Sequence, residues 1–209
     1  MALTKVRGGA IDNPLTLGGG SASDRSIIFD GNAQDFHIGL DDSEDKLTIG
    51  LGSTLGTTSH MVIDANGHIT KPLQPAFLAQ PSSAQSNVAL GTTTIAFGTE
   101  RFDQNGDFAS NTFTAPVTGK YHLNLQIRLD QLDISTDYYQ MRLITSNRTY
   151  YAIIDPDFGD ADFNYYTMQI NALADMDASD TAHGDIQIVG GAAQMDINAG
   201  SYFSGFLAC

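Results

Sequence analysis

The feature that most constrains this chain is the stretch FTAPVTGKYHLNLQI, residues 113–127. From Tyr121 to Leu129 apolar and polar residues alternate without a break. Tyr121, Leu123, Leu125, Ile127 and Leu129 fall on one side, and His122, Asn124 and Gln126 on the other. Successive strand side chains point to opposite faces, so the pattern specifies a half-buried β-strand rather than a helix. Pro116 suits a turn or edge before that strand, and Gly119 permits a close backbone approach where it begins.

From residue 88 onward the same reading predicts strands at 92–98, 112–117, 120–130, 138–145, 149–154, 163–173, 184–189 and 201–208. The acidic, turn-rich phrases DQNGD, LDISTD, DPDFGDAD and DMDASDTAHGD separate them. No stretch of useful length shows i, i+3, i+4 spacing. Many short strands joined by Gly/Asp turns indicate a β-sandwich or jelly roll.

Residues 1–70 differ in character. SIIFDG, DFHIGLDD, DKLTIGLGS and MVIDANGHIT are short β-type phrases, and Ile28, Ile38, Ile49 and Ile63 recur at intervals of 10, 11 and 14 residues. Asn66-Gly67 predicts a two-residue hairpin turn, because both residue types tolerate positive φ. The region holds only two aromatic rings besides histidine, Phe29 and Phe36, so it is expected to borrow surface from neighbouring chains. Residues 71–87, with Pro72, Pro75, Pro81 and a Ser/Gln run, read as a linker. All eight tyrosines and nine of the eleven phenylalanines lie beyond residue 70, which places the main core there.

Composition removes several classes of function. A formal net charge of −14, from 24 acidic and 10 basic residues, argues against a nucleic-acid partner, which needs a basic face. Cys209 is the single cysteine, so no intrachain disulfide holds the fold. A free thiol is favoured over an interchain bridge. No segment approaches the roughly 18 apolar residues of a membrane-spanning helix, and membrane insertion is not expected. MALTKVRGGAIDNPL lacks a secretory apolar region, so the chain is expected to be made in a cytoplasm without a signal peptide.

The pattern Phe113-x-Ala115-Pro116-x-x-Gly119-x-Tyr121-x-Leu123, with Ser201-Tyr202-Phe203-Ser204-Gly205-Phe206-Leu207 at the far end, resembles the signature of C1q-like domains in the C1q/TNF superfamily. Leu123 and Leu125 stand where that family prefers aromatic residues. The resemblance covers about residues 88–208 and implies a homotrimeric jelly roll with its C-terminal strand in a shared core. Tyr121, Leu123, Tyr202, Phe203 and Phe206 are then the expected trimer-interface or core residues. MALTKVRGGAI and the β-type phrases that follow it resemble shafts of bacteriophage fibre and spike proteins. The expected architecture is all-β: an N-terminal shaft or β-rich arm over 1–70, a linker over 71–87, and a C1q/TNF-like head over 88–209.

Candidate chemistry is sparse. The histidines at 37, 60, 68, 122 and 183 form no H-x-x-x-H or H-E-x-x-H pattern, and no G-x-S-x-G is present, so a non-enzyme is expected. Asp103, Asn105 and Asp107 alternate around Gly106 like the start of a Ca²⁺ loop, without the distal glutamate that would complete one. Asp155, Asp157, Asp160 and Asp162, and Asp175, Asp177 and Asp180, are further oxygen donors; acidic solvated loops are the simpler reading of all three groups. Each tyrosine pair, 138–139, 150–151 and 165–166, should place one ring inward and one outward. Tyr138, Tyr150 and Tyr165 are the possible glycan contacts.

The favoured function is a trimeric virion-surface fibre or spike. It would attach through its N-terminal region to other virion proteins and meet a host-surface glycan or protein with its head. A trimeric capsid-decoration protein is the alternative. A polysaccharide-degrading spike is the second alternative, with little room for the paired carboxylates it needs.

Overall fold

The computed structural model describes residues 16–157 and 159–209. The phrase MALTKVRGGAI therefore lies outside the described residues. Those residues contain seventeen strands and no helix, and the chain divides into two units, one ending at Leu73 and one running from Gln74 to Cys209.

The first unit is an antiparallel meander of β1 (Arg25–Phe29), β2 (Phe36–Asp41), β3 (Lys46–Leu51), β4 (Ser59–Ile63) and β5 (Ile69–Thr70), in that spatial order. Its β4–β5 turn is longer than the two-residue hairpin predicted. Gly67 alone of the pair has positive φ (85°), and the Asp64 carboxylate accepts the amides of Asn66 and His68, each at 2.9 Å. An acidic side chain able to cap its own loop displaced the tighter turn.

The second unit contains β6 (Ala76–Gln80), β7 (Gly91–Thr94), β8 (Thr99–Asp103), β9 (Phe108–Ala109), β10 (Thr112–Thr114) and β11 (Gly119–Leu132). It continues with β12 (Thr136–Thr145), β13 (Thr149–Ile154), β14 (Phe163–Met176), β15 (Thr181–Gly190), β16 (Asp196–Ile197) and β17 (Tyr202–Leu207). One sheet runs β13-β12-β15-β10-β9, with β7 on β15; the other runs β14-β11-β17-β6-β8, with β16 on β11. Take β6, β10, β11, β12, β13, β14, β15 and β17 as eight principal strands. The first then pairs with the last (β6–β17), the second with the seventh (β10–β15), the third with the sixth (β11–β14) and the fourth with the fifth (β12–β13). That nesting is the jelly roll. The unit is an all-β jelly-roll sandwich, as its sequence leads one to expect.

The alternation in β11 is realised along its length: Tyr121, Leu123, Leu125, Ile127 and Leu129 all face inward and are fully buried. Opposite them Tyr139, Met141, Leu143, Ile186 and Ile188 close the core from the other sheet. Phe77 of β6 joins the sheets, stacking at 4.8 Å on Phe113 and 5.0 Å on Phe108 while meeting Phe203 edge-on at 5.0 Å.

Two segment boundaries differ from the sequence reading. Residues 71–87 were expected as a linker, yet Ala76–Gln80 within them is β6, hydrogen-bonded to β17 and β8. Pro75 and Pro81 bracket that strand rather than break it, because at its ends neither has to donate an amide to the ladder. The strand predicted at 92–98 is strand only in its first part, as β7, and the chain leaves the sheet at Ile95 before β8 begins at Thr99. Ile95 and Phe97 in the connection turn into the core, with the Ile95 amide donating to Gly184 O at 3.1 Å.

Candidate functional site

The outer face of the β14-β11-β17-β6-β8 sheet is built from the residues that the alternation turns away from the core. Register places them in rows. Leu173, His122, Phe206 and Ala76 lie side by side across four strands, and Asn171, Asn124, Ser204, Leu78 and Phe102 form the next row. Gln169, Gln126 and Tyr202 follow. Leu173, Phe206 and Phe102 are exposed large hydrophobics on this single face. The His122 and Phe206 rings lie 5.2 Å apart. Further along, the Arg128 guanidinium donates to Asp130 at 2.7 Å and sits 4.6 Å over the Tyr165 ring. The face thus grades from apolar, through amides, to charge. Such a surface suits close packing against another protein: it has an apolar end that gains from losing water, and polar groups beside it that can pair.

The five assembly residues expected from sequence separate on this geometry. Tyr121, Leu123 and Phe203 are fully buried within the chain's own sandwich, so they are core and not interface. The Tyr121 hydroxyl donates to Val117 O at 2.7 Å, and burial pushes its phenol pKa up. Tyr202 and Phe206, of opposite strand parity to Phe203, do face outward. His122, which strand parity already places on the polar side of β11, Leu173, Leu78 and Phe102 complete the face; the last three required the pairing of distant strands.

The three tyrosines proposed as glycan contacts do not meet on one platform. Tyr165 is exposed on the sheet just described. Tyr138 and Tyr150 belong to the other sheet, and Tyr150 packs partly against the core. The outward ring of the 150–151 pair is Tyr151, so the residue chosen from sequence was the wrong member of the pair. Tyr151 lies across from Arg142, which donates to both carboxylate oxygens of buried Asp185 at 2.6 and 2.7 Å and to Thr92 Oγ1 at 3.1 Å. The Asp185 carboxylate raises the guanidinium pKa, so Arg142 stays charged.

Asp103, Asn105 and Asp107 do not assemble as an open ligand set. The two Asp103 oxygens accept the Asp107 and Phe108 amides at 3.0 and 2.9 Å, which makes the carboxylate a cap for its own turn. Asp107 turns one oxygen into the protein without a partner, and burial together with the Asp103 charge raises its pKa. Among the described residues no group of three His, Cys, Asp or Glu side chains is placed to share a metal ion. One carboxylate or more in each of the other acidic loops is likewise engaged. Asp162 accepts from the Ile134 amide and Gln194, Asp180 from the Asp177 amide and Asn147, and Asp175 from Arg148.

In the first unit a cleft of about 730 Å³ lies between Asp41, Lys46, Thr48, Asp64, His68 and Leu73. Its polar groups are already engaged: Lys46 pairs with Glu44 at 2.9 Å, the His68 ring bonds Asp64 at 2.8 Å, and Asp41 accepts the Ser43 hydroxyl at 2.7 Å. It offers no arrangement of nucleophile, base and orienting group.

No protein-family model matches the sequence, and no curated protein does. Among solved structures the chain is similar to the globular domain of zebrafish complement 1qA protein, with 15% identity and a TM-score of 0.48 over 65% of this chain and 98% of that one. It is also similar to murine APRIL, with 11% identity and a TM-score of 0.48 over 64% of this chain and 98% of that one. The jelly-roll assignment rests on the strand nesting given above.

Proposed function

We propose that this chain is a non-enzymatic structural protein of a bacteriophage virion, a homotrimeric fibre or spike with a jelly-roll head that meets the host surface. The observation that carries the self-association is the outer face of the β14-β11-β17-β6-β8 sheet, where Leu173, Phe206 and Phe102 stand exposed around His122 and a band of amides. A monomeric sandwich has no use for such a face. The virion role is supported by the fibre-like phrases of residues 1–70 and by their order, a short-stranded β region before a jelly roll. The N-terminal region joins other virion proteins. Contact with a host glycan or protein falls to the opposite sheet, where Tyr151 and Tyr138 flank the Arg142–Asp185 pair.

The test is mass in solution. Light scattering should give three times 22.3 kDa for the purified chain. Two carboxylates in the apolar row, Leu173→Glu with Phe206→Glu, should raise the concentration at which assembly falls apart at least tenfold, because buried unpaired charges oppose association. A monomeric wild type overturns the trimer, and a double variant that dilutes like wild type overturns the head face as its interface. Gold-labelled antibody on intact virions then tests the location.

A further inference from the structure

The first unit is a sheet turned inside out. Its register aligns Ile27, Ile38, Ile49 and Met61 in one row, Phe29, Phe36 and Leu51 in a second, and Leu40, Leu47, Ile63 and Ile69 in a third. All eleven share one face. The opposite face carries Ser26, Gly39, Thr48 and Val62 in one row and Ile28, His37 and Gly50 in another, with Asp41 and Lys46 beyond them.

An ordinary two-faced sheet buries its apolar side and leaves the polar side to water. Here the connection between β3 and β4 folds back over the polar side. The Leu51 amide donates to Thr58 O at 2.9 Å, His37 Nδ1 bonds Gly52 O at 2.9 Å, and Leu55 reaches to within 2.8 Å of where a side chain on Gly39 would begin. Gly50 leaves the same kind of room for the Thr58 carbonyl. His37, Asp41 and Thr48 are buried as a result, while Ile27, Phe29, Phe36, Ile38, Leu40, Leu47 and Ile69 remain between 38 and 57% exposed.

We infer that this apolar face is a second self-association surface, covered in the assembled protein by the same face of other copies of the chain. The inference deepens the homotrimer reading and takes its stoichiometry from it; the surface itself stands on the sheet alone. Size is the first argument. The seven side chains expose on the order of 600 Å², at the top of the range for a monomer's largest apolar patch and near the ~800 Å² each partner gives to a standard interface.

Charge decides what the occupant is. Two copies of a chain with net charge −14 repel wherever their carboxylates meet. Among the described residues, the strands carry no carboxylate on this face, and Arg25, in line with Leu40 at one edge, is their only charged side chain there. It is a place where copies touch without opposing like charges. A charged partner, by contrast, would find nothing here to select it. Three copies can turn this face toward a common threefold axis, each meeting two neighbours along its edges, and so close into a symmetric assembly.

Thiol labelling of the full chain tests this. In a Cys209→Ser background, Ile38→Cys should react with a water-soluble thiol reagent at least tenfold more slowly than Glu44→Cys, which lies on an exposed turn of the same unit. Ile38→Glu with Leu40→Glu should lower the concentration stability of the assembly, and adding Leu173→Glu with Phe206→Glu should give monomer. Slow labelling in an assembly that survives the head substitutions upholds this face while the head reading fails. Fast labelling in an intact assembly overturns this face and leaves the head reading standing. Slow labelling in a monomer means another part of the same chain covers the face, which also overturns the inference. Fast labelling in a monomer defeats both.

Discussion

The two units use the same ingredient, an alternating strand, to opposite ends. In the jelly roll the apolar parity of β11 points at a second sheet and all five of its large residues disappear from water. In the N-terminal sheet the apolar parity of β2 points outward, and Phe36, Ile38 and Leu40 stay exposed while His37 between them is buried. The difference lies in what covers each face. A chain with two sheets can close its own core. A single sheet of five short strands has one covering loop, and that loop took the small polar side, where Gly39 and Gly50 leave it room. Burial is therefore a property of the partner surface and not of the strand that carries the pattern.

The largest expected effect separates the units directly. Phe203→Ala empties a fully buried site between Phe77, Phe97 and Phe108 and should cost about 3–5 kcal/mol in denaturant unfolding. Phe29→Ala, on the exposed face, should leave unfolding of the dissociated chain within about 0.5 kcal/mol of wild type and act on assembly alone. Equal costs for the two would break the contrast.

A smaller effect is expected at the start of β11. A side chain added at Gly119 would begin 2.6 Å from the Leu207 Cδ1 atom and 2.8 Å from the Cys209 carbonyl, which accepts the Lys120 amide at 2.7 Å. Gly119→Val should therefore lower stability by about 1–3 kcal/mol, and Gly119→Ala by less, read from urea midpoints. Wild-type midpoints in both would show that the edge of the jelly roll tolerates what its centre does not.

The smallest effect concerns the β8–β9 turn. Burial and the Asp103 charge raise the Asp107 pKa, so at neutral pH the folded chain bears the cost of keeping that carboxylate charged. For a carboxylate raised on folding, that cost is present above the folded pKa and fades as pH falls through it. Asp107→Asn should raise stability at pH 7 by less than about 1 kcal/mol, because water screens a partly exposed group. The gain should shrink as pH falls toward the ordinary carboxylate range. A gain that grows on acidification would reverse the sign of the argument.

Much of the jelly roll was legible because its information is local. The period-two run from Tyr121 to Leu129 specifies its own buried face, and Gly/Asp turns mark where strands stop. Elsewhere the local signal pointed the wrong way. AFLAQ between two prolines reads as linker until β17, more than 120 residues later, supplies its hydrogen bonds. Ser110-Asn111, both at positive φ, makes the tight β9–β10 turn without any glycine to announce it. Period alone could not say which of Tyr150 and Tyr151 points outward, and the choice of Tyr150 is reversed by the pairing with β12.

For this protein the sequence by itself determined that the chain is all-β, where most strands run, and that its acidic loops are turns. Those follow from side-chain period and turn chemistry, which act over a few residues. Only the tertiary structure decided which face of each strand is inside, which aspartates cap loops and ion-pair with arginines, and that the N-terminal sheet wears its apolar side outward. Those depend on which distant surface arrives to exclude water, and no local pattern carries that.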